Sequence, residues 1–127
     1  SGTVTLDRSR TVNALLLGPG VTINGVGGVD TTNTLTVSAG PLGFGGNATI
    51  NTAYFQFSTG NPTYIATTAG ATGTISSTFA GANSGTTSKG GTGTLVLTGS
   101  NQFLAQFNIN QGAVNIRNSF ALGAAQG

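Results

Sequence analysis

Residues 34–57 read TLTVSAGPLGFGGNATINTAYFQF, and within them two apolar pairs, Leu35/Val37 and Phe55/Phe57, stand twenty positions apart. Each pair is separated by a polar residue, Thr36 or Gln56, the period-two alternation of a half-buried strand. Working outward, the same register holds Leu15/Leu17 and Leu95/Leu97, and Ile75 stands at the position between with Ser77 in place of its partner. Val114/Ile116 arrives one residue early, as a loop shortened by one would produce. Gly18, Gly40, Gly60, Gly81 and Gly99 follow the pairs as turn residues.

Looser alternating segments lie between the pairs: Val4/Leu6, Val21/Ile23, Leu42/Phe44, Ile50, Tyr64/Ile65, Phe103 and Phe107/Ile109. Thr, Val, Ile and Phe enrichment favours strands, and the Gly, Asn, Pro and Ser clusters between them favour turns. No window of a dozen residues avoids Gly and β-branched residues while keeping a helical stripe; only 119–126 has the composition for a turn of helix. A recurring unit of two or three short strands points to a solenoid whose coils stack on one another. The expectation is an all-β, right-handed parallel β-helix, one β-solenoid segment over residues 1–127, of about six coils of roughly 20 residues. In it Leu35/Val37 stacks beneath Phe55/Phe57 and above Leu15/Leu17. An antiparallel sandwich or barrel also uses many short strands, but it has no reason to keep its coil length constant.

Composition narrows function. Of 127 residues 22 are Gly, and Thr, Asn, Ser and Gly together make up 66, while only Lys89, Arg8, Arg10, Arg117, Asp7 and Asp30 carry charge. There is no His, Cys, Glu, Met or Trp, so imidazole or thiolate metal cages, Cys or Ser-His nucleophiles and disulfide frameworks lack raw material. Disorder is opposed by the regular recurrence of Val, Ile, Leu and Phe. A net charge of +2 from scattered groups offers no basic stripe for nucleic acid, and no apolar run approaches a membrane span. The lack of Cys is compatible with secretion through an oxidising compartment. The opening SGTVTLDRSR has no basic and apolar leader pattern, so a signal peptide would have been removed or lie upstream.

From Lys89 the chain reads KGGTGTLVLTGSNQF and, from Ile109, INQGAVNIRNSFALG. This resembles the autotransporter-associated β-strand repeat of passenger domains, whose members run K-x-G-x-G-T-L-x-L-x-G-x-N-x-[YF], a variable stretch, then G-x-[LV]-x-[VI] and A-L-G. The match covers Lys89, Gly91, Gly93, Thr94, Leu95, Leu97, Gly99, Asn101 and Phe103, then Gly112, Val114, Ile116, Ala121, Leu122 and Gly123, so the best-matching repeat spans 89–123. LAQFNI at 104–109 departs from the Gly-Gly-Thr-Thr-like run usual there. Upstream, 3–17, 34–40 and 46–52 look more loosely like segments that precede this repeat. The resemblance implies a right-handed β-helix, a secreted or surface-displayed location and a role as stalk or display scaffold; the matched positions are core and corner positions, and it transfers no catalytic residue.

Asp7 and Asp30, the two carboxylates, lie 23 apart, which allows near stacking without a register match, and Asp7 adjoins Arg8 and Arg10. They do not form the paired acid and base of glycoside hydrolysis, nor the acidic calcium cluster of a lyase. The Gly-rich stretches at 18–28, 43–46 and 89–93 lack phosphate-loop spacing and read as corners. Asn47-Ala48-Thr49 fits a glycosylation sequon by pattern, as chance allows in so Asn- and Thr-rich a chain. Thr32/Thr34/Thr36, Thr72/Thr74 and Thr92/Thr94 raise an outward Thr face able to bind ice or carbohydrate, but at a spacing of twenty the array is broken by Tyr54 and Gln56. No catalytic, cofactor or metal residue is assigned, and no enzyme is expected. The sequence reading favours a structural solenoid outside the cell or at the bacterial cell surface, as passenger stalk, adhesin surface or filament subunit. Its uncapped coils would self-associate head to tail or continue into a longer passenger. A face for host or surface glycans, or for ice, is the alternative.

Overall fold

The computed structural model describes residues 1–26, 32–58, 63–80 and 85–123. Among them the chain forms fifteen short strands and no α-helix. The first turn carries β1 (Gly2–Leu6), β2 (Arg10–Val12) and β3 (Leu15–Leu17), and the second β4 (Val21–Gly25), β5 (Thr34–Val37) and β6 (Leu42–Phe44). The third holds β7 (Ala48–Asn51), β8 (Tyr54–Phe57) and β9 (Thr63–Thr67), the fourth β10 (Thr72–Ile75), β11 (Thr78–Phe79) and β12 (Thr87–Gly90). Beyond these four complete turns come β13 (Thr94–Leu97), β14 (Phe107–Ile109) and β15 (Ala113–Ile116).

Equivalent strands pair in parallel along three sheets. One has six strands in the order β1-β4-β7-β10-β13-β15, one four (β2-β5-β8-β11) and one five (β3-β6-β9-β12-β14). The fold is therefore the expected parallel β-solenoid, with three strands to a coil and four complete coils where the sequence period suggests six.

The coils are also unequal. On the six-stranded sheet Gly2 pairs with Val21, 19 residues on; Thr22 with Thr49, 27 on; Ala48 with Gly73, 25 on; Thr72 with Thr94, 22 on; and Thr94 with Ala113, 19 on. Strand register is held by ladder hydrogen bonds and by the inward-outward alternation, whereas the cost of a longer corner rises slowly with its length. The connection from β1 to β2 is residues 7–9, and from β4 to β5 it is 26–33. Length varies at corners and register does not.

This corrects the stacking inferred from a fixed period. Leu35/Val37 does stack on Phe55/Phe57, and Leu95/Leu97 on Val114/Ile116. Leu15/Leu17, however, belongs to the five-stranded sheet and pairs with Leu42/Phe44, while Ile75 belongs to the six-stranded sheet between Ile50 and Leu97. Gly60 and Gly81 lie outside the described residues. Residues 118–123 make two successive turns, Ala121 N–H donating to Asn118 O and Gly123 N–H to Phe120 O, and the anticipated helical turn is absent from the described part of 119–126. Among the described residues no helix is long and apolar enough to cross a membrane.

The core is a set of vertical columns. Val4, Ile23, Ile50, Ile75, Leu97 and Ile116 share one inward column, and their exposures of 51, 5, 0, 0, 0 and 50% show that a member is covered only when a coil lies on both sides. A second column passes Leu35, Phe55 and Phe79 and continues to Phe103, with ring centroids 4.9 Å apart for Phe55 and Phe79 and 4.7 Å for Phe79 and Phe103. Such pairs each add about 0.5–1.5 kcal/mol beyond their burial. Phe44 reaches across the interior to the six-stranded sheet, where Gly73 supplies the space: a Cβ there would sit 2.4 Å from the Phe44 ring. Gly73→Ala is therefore expected to destabilise by about 1–3 kcal/mol through overpacking, and pairing it with Phe44→Leu should recover part of that loss. Urea denaturation of the two single variants and the double variant checks this; additive losses would show that the two positions do not compete for one volume.

Candidate functional site

The polar side chains that the fold takes inside are used to join coils. Lys89 occupies an inward position of β12, between Ile65 and Ile109, and is fully buried. Its Nζ donates to Gly90 O and Gly91 O at 2.8 Å and to Gly93 O and Gln111 O at 3.1 Å. The first of these carbonyls ends β12, two belong to the corner that follows it and the fourth to the next coil. That geometry needs glycine: Gly91 and Gly112 both have φ +72, and a Cβ would lie 2.2 Å from Thr67 O at Gly91 and 2.3 Å from Gly93 O at Gly112. The KGGTG stretch is thus a corner closed by a buried ammonium. Burial pushes the Lys89 pKa below its ordinary 10.5, and the four carbonyl oxygens are what make the buried charge tolerable.

Asn101 works in the same way. Its Oδ1 accepts from Phe79 N–H at 3.0 Å and its Nδ2 donates to Ala121 O at 2.7 Å, so one buried amide bridges the coils before and after its own. Thr52 and Ser77 form a buried hydroxyl pair at 3.0 Å, and the Ser77 hydroxyl also accepts from Thr52 N–H. Asn47 Oδ1 accepts from Thr72 N–H at 2.8 Å, which gives the Asn of the sequon pattern a structural task. One buried hydroxyl among the described residues, Thr67 Oγ1, has no partner.

Asp7 lies in the corner between β1 and β2, paired with Arg8 at 3.2 Å and with Arg10. All three side chains are largely exposed, so these pairs contribute little to stability. Asp30 lies outside the described residues, and the described residues contain no group of three or more side chains able to hold a metal ion.

The largest organised surface is the outer face of the six-stranded sheet. Thr3 pairs with Thr22, Thr22 with Thr49 and Thr49 with Thr74, an unbroken outward column of four threonines, which Val96 and Asn115 extend. Beside it runs Thr5, Asn24 and Asn51, with Ser76 and Thr98 next in the following coils, where Ser76 N–H donates to Ile50 O and Thr98 N–H to Ile75 O. Asn51 Nδ2 donates to Asn24 Oδ1 at 3.3 Å along this second column. On the other flank Thr72 pairs with Thr94. The break expected from the sequence is present on the four-stranded sheet, where Tyr54 pairs with Thr34 and Gln56 with Thr36; the continuous column stands on another sheet, at steps that a spacing of twenty does not reach. Thr36, Gln56 and Tyr54 belong to the four-stranded sheet, and Thr74 to the six-stranded one. The signal that could have found the column is the alternation T-x-T, T-x-N, T-x-N and T-x-S at 3–5, 22–24, 49–51 and 74–76, read without a fixed period.

Comparison of the chain with protein-family models, curated proteins and solved structures returns no match.

Two outcomes follow for the polar groups. Lys89→Met keeps the apolar stem and removes the ammonium from four carbonyls, so it should destabilise the fold by about 2–4 kcal/mol, read by urea denaturation; an unchanged midpoint would mean that water replaces the ammonium at no cost. For Asp7, a hydrogen bond from Arg8, aided by the charge of Arg10, holds the carboxyl below its ordinary 3.8. A depressed folded-state pKa gives a contribution that is present above 3.8 and lost as pH falls through the folded value. With no His in the chain, melting temperature should stay level from about pH 5 to 7 and fall slightly in stronger acid. Asp7→Asn should remove its share of that acid-side fall while leaving the neutral-pH melting temperature almost unchanged.

Proposed function

We propose that this chain is a structural, non-enzymatic solenoid that works outside the bacterial cell, as stalk or adhesive surface of an autotransporter-like passenger or as a head-to-tail stacked fibre subunit. The observation that carries the reading is where the reactive side chains stand. Lys89, Asn101, Thr52 and Ser77 are spent on bridging coils, and Asp7 is spent on two neighbouring arginines. The resemblance of 89–123 to a passenger repeat gains a physical basis here, since Lys89, Gly91, Gly112 and Asn101 are the residues that build the corners and clamps.

Support for end-to-end association comes from the inward columns. Val4 at one end and Ile116 at the other are half exposed in a column that is buried in its middle coils, and Phe120, four residues after Ile116, is 53% exposed. A further coil is the shape that covers such a row, whether a longer passenger or a second copy supplies it. Negative-stain electron microscopy of the purified chain across a concentration series tests the fibre arm. Rods that lengthen with concentration are expected, and Ile116→Lys should return them to short particles; short particles of the unaltered chain at every concentration would remove that arm. Protease treatment of intact cells producing the natural protein tests the location, and protection from digestion would argue against surface display.

A further inference from the structure

We propose that the outer face of the six-stranded sheet is an ice-binding face. This goes beyond the scaffold role and does not rest on it, because it concerns a lateral surface and not the ends.

The face presents polar groups on a two-dimensional grid. Rungs of a sheet repeat at about 4.8 Å and alternate residues along a strand at about 6.6–6.8 Å, so Thr3, Thr22, Thr49 and Thr74, with Thr5, Asn24, Asn51 and Ser76 beside them, stand at intervals close to the oxygen repeats of crystalline water. Among the described residues the hydroxyls of Thr3, Thr22, Thr49 and Thr74 make no hydrogen bond, unlike those of Thr52, Thr63 and Ser77 inside the coil. Each threonine also sets a methyl group beside its hydroxyl, so that one part anchors a water and the other leaves its neighbours ordered without competing donors.

Alignment is kept although the coils differ. The three steps between the threonines are 19, 27 and 25 residues, yet each coil brings a threonine to the same rung position. The face is also neutral, for no charged side chain stands on it between β1 and β13. That suits an uncharged lattice and does not suit nucleic acid or an anionic surface. A polysaccharide would ordinarily stack its rings on aromatic side chains, and the exposed tyrosines, Tyr54 and Tyr64, lie on the other two sheets.

The test uses the purified chain in ice-affinity partitioning and in an ice-recrystallisation assay. The unaltered protein is expected to enrich in the ice fraction and to restrain crystal growth. Thr49→Tyr, which breaks the centre of the column on an outward position, should raise the concentration needed at least tenfold. Ser88→Tyr, an outward substitution on the five-stranded sheet, should leave it unchanged, and circular dichroism melts should show both variants folded. Exclusion of the unaltered protein from ice overturns the proposal, as does equal activity of Thr49→Tyr. Binding to insoluble chitin or cellulose that Thr49→Tyr abolishes, without ice enrichment, would reassign the face to carbohydrate. A concentration-dependent dimer lost in Thr49→Tyr, again without ice enrichment, would reassign it to self-association.

Discussion

Register between successive rungs is the constraint on which the rest of this structure depends. In a parallel solenoid every strand passes its backbone hydrogen bonds to the equivalent strands above and below, and a slip by one residue would turn each inward side chain outward. Column membership therefore decides what a residue can be. Ile50 and Ile75 must be apolar because their column is covered on both sides, whereas Thr49 and Thr74, one position away, must be soluble. Gly73 can be glycine because its inward place is already filled from across the coil by Phe44.

Corners answer to a different requirement. There the chain turns without a neighbouring strand to satisfy its carbonyls, and a buried carbonyl without a donor is costly. At the corner after β12 the donor is the Lys89 ammonium, a group with enough protons to serve several acceptors at once. At the turn between β13 and β14 it is the Asn101 amide, which donates and accepts and so can tie coils on both sides. A lysine placed in a core column looks anomalous by composition alone. Its environment of four carbonyls makes it the counterpart of a helix cap, moved into the interior of a coil.

The strands and the parallel stacking were legible in the sequence because alternation is a local property: Leu35/Val37 and Phe55/Phe57 are recognisable one strand at a time. What the sequence concealed was which strand stacks on which. Twenty is the true step from β5 to β8 and from β12 to β14, and these correct instances made the number look general. Leu15/Leu17 fell into the same arithmetic although it lies on another sheet. Corner insertions cost little energy, so they leave no compensating mark elsewhere in the sequence from which they could be inferred. The outward threonine column was hidden for the same reason, its spacings being those of the corners and not of the ladder. Lys89 and Asn101 were visible as motif positions through a resemblance, but their hydrogen-bond partners follow only from the folded corner.

Scarcity of charge is the last property that register explains. Any side chain on a solenoid face stands about 4.8 Å from its counterpart in the next coil, and two like charges at that distance repel by about 1 kcal/mol in bulk water and by several kcal/mol at the lower dielectric of a protein surface. A charged column would accumulate this cost rung after rung, whereas Thr, Ser and Asn accumulate none and can add side-chain hydrogen bonds, as Asn24 and Asn51 do. The described charges stand where no column of like charge can form: Asp7 and Arg8 in a corner, Arg10 paired with Asp7, Arg117 just past β15, and Lys89 alone among carbonyls. A neutral hydroxyl grid is then what the wall of such a solenoid presents when its rungs are held in register. The same repetition that bars charge from the wall gives that grid its regularity.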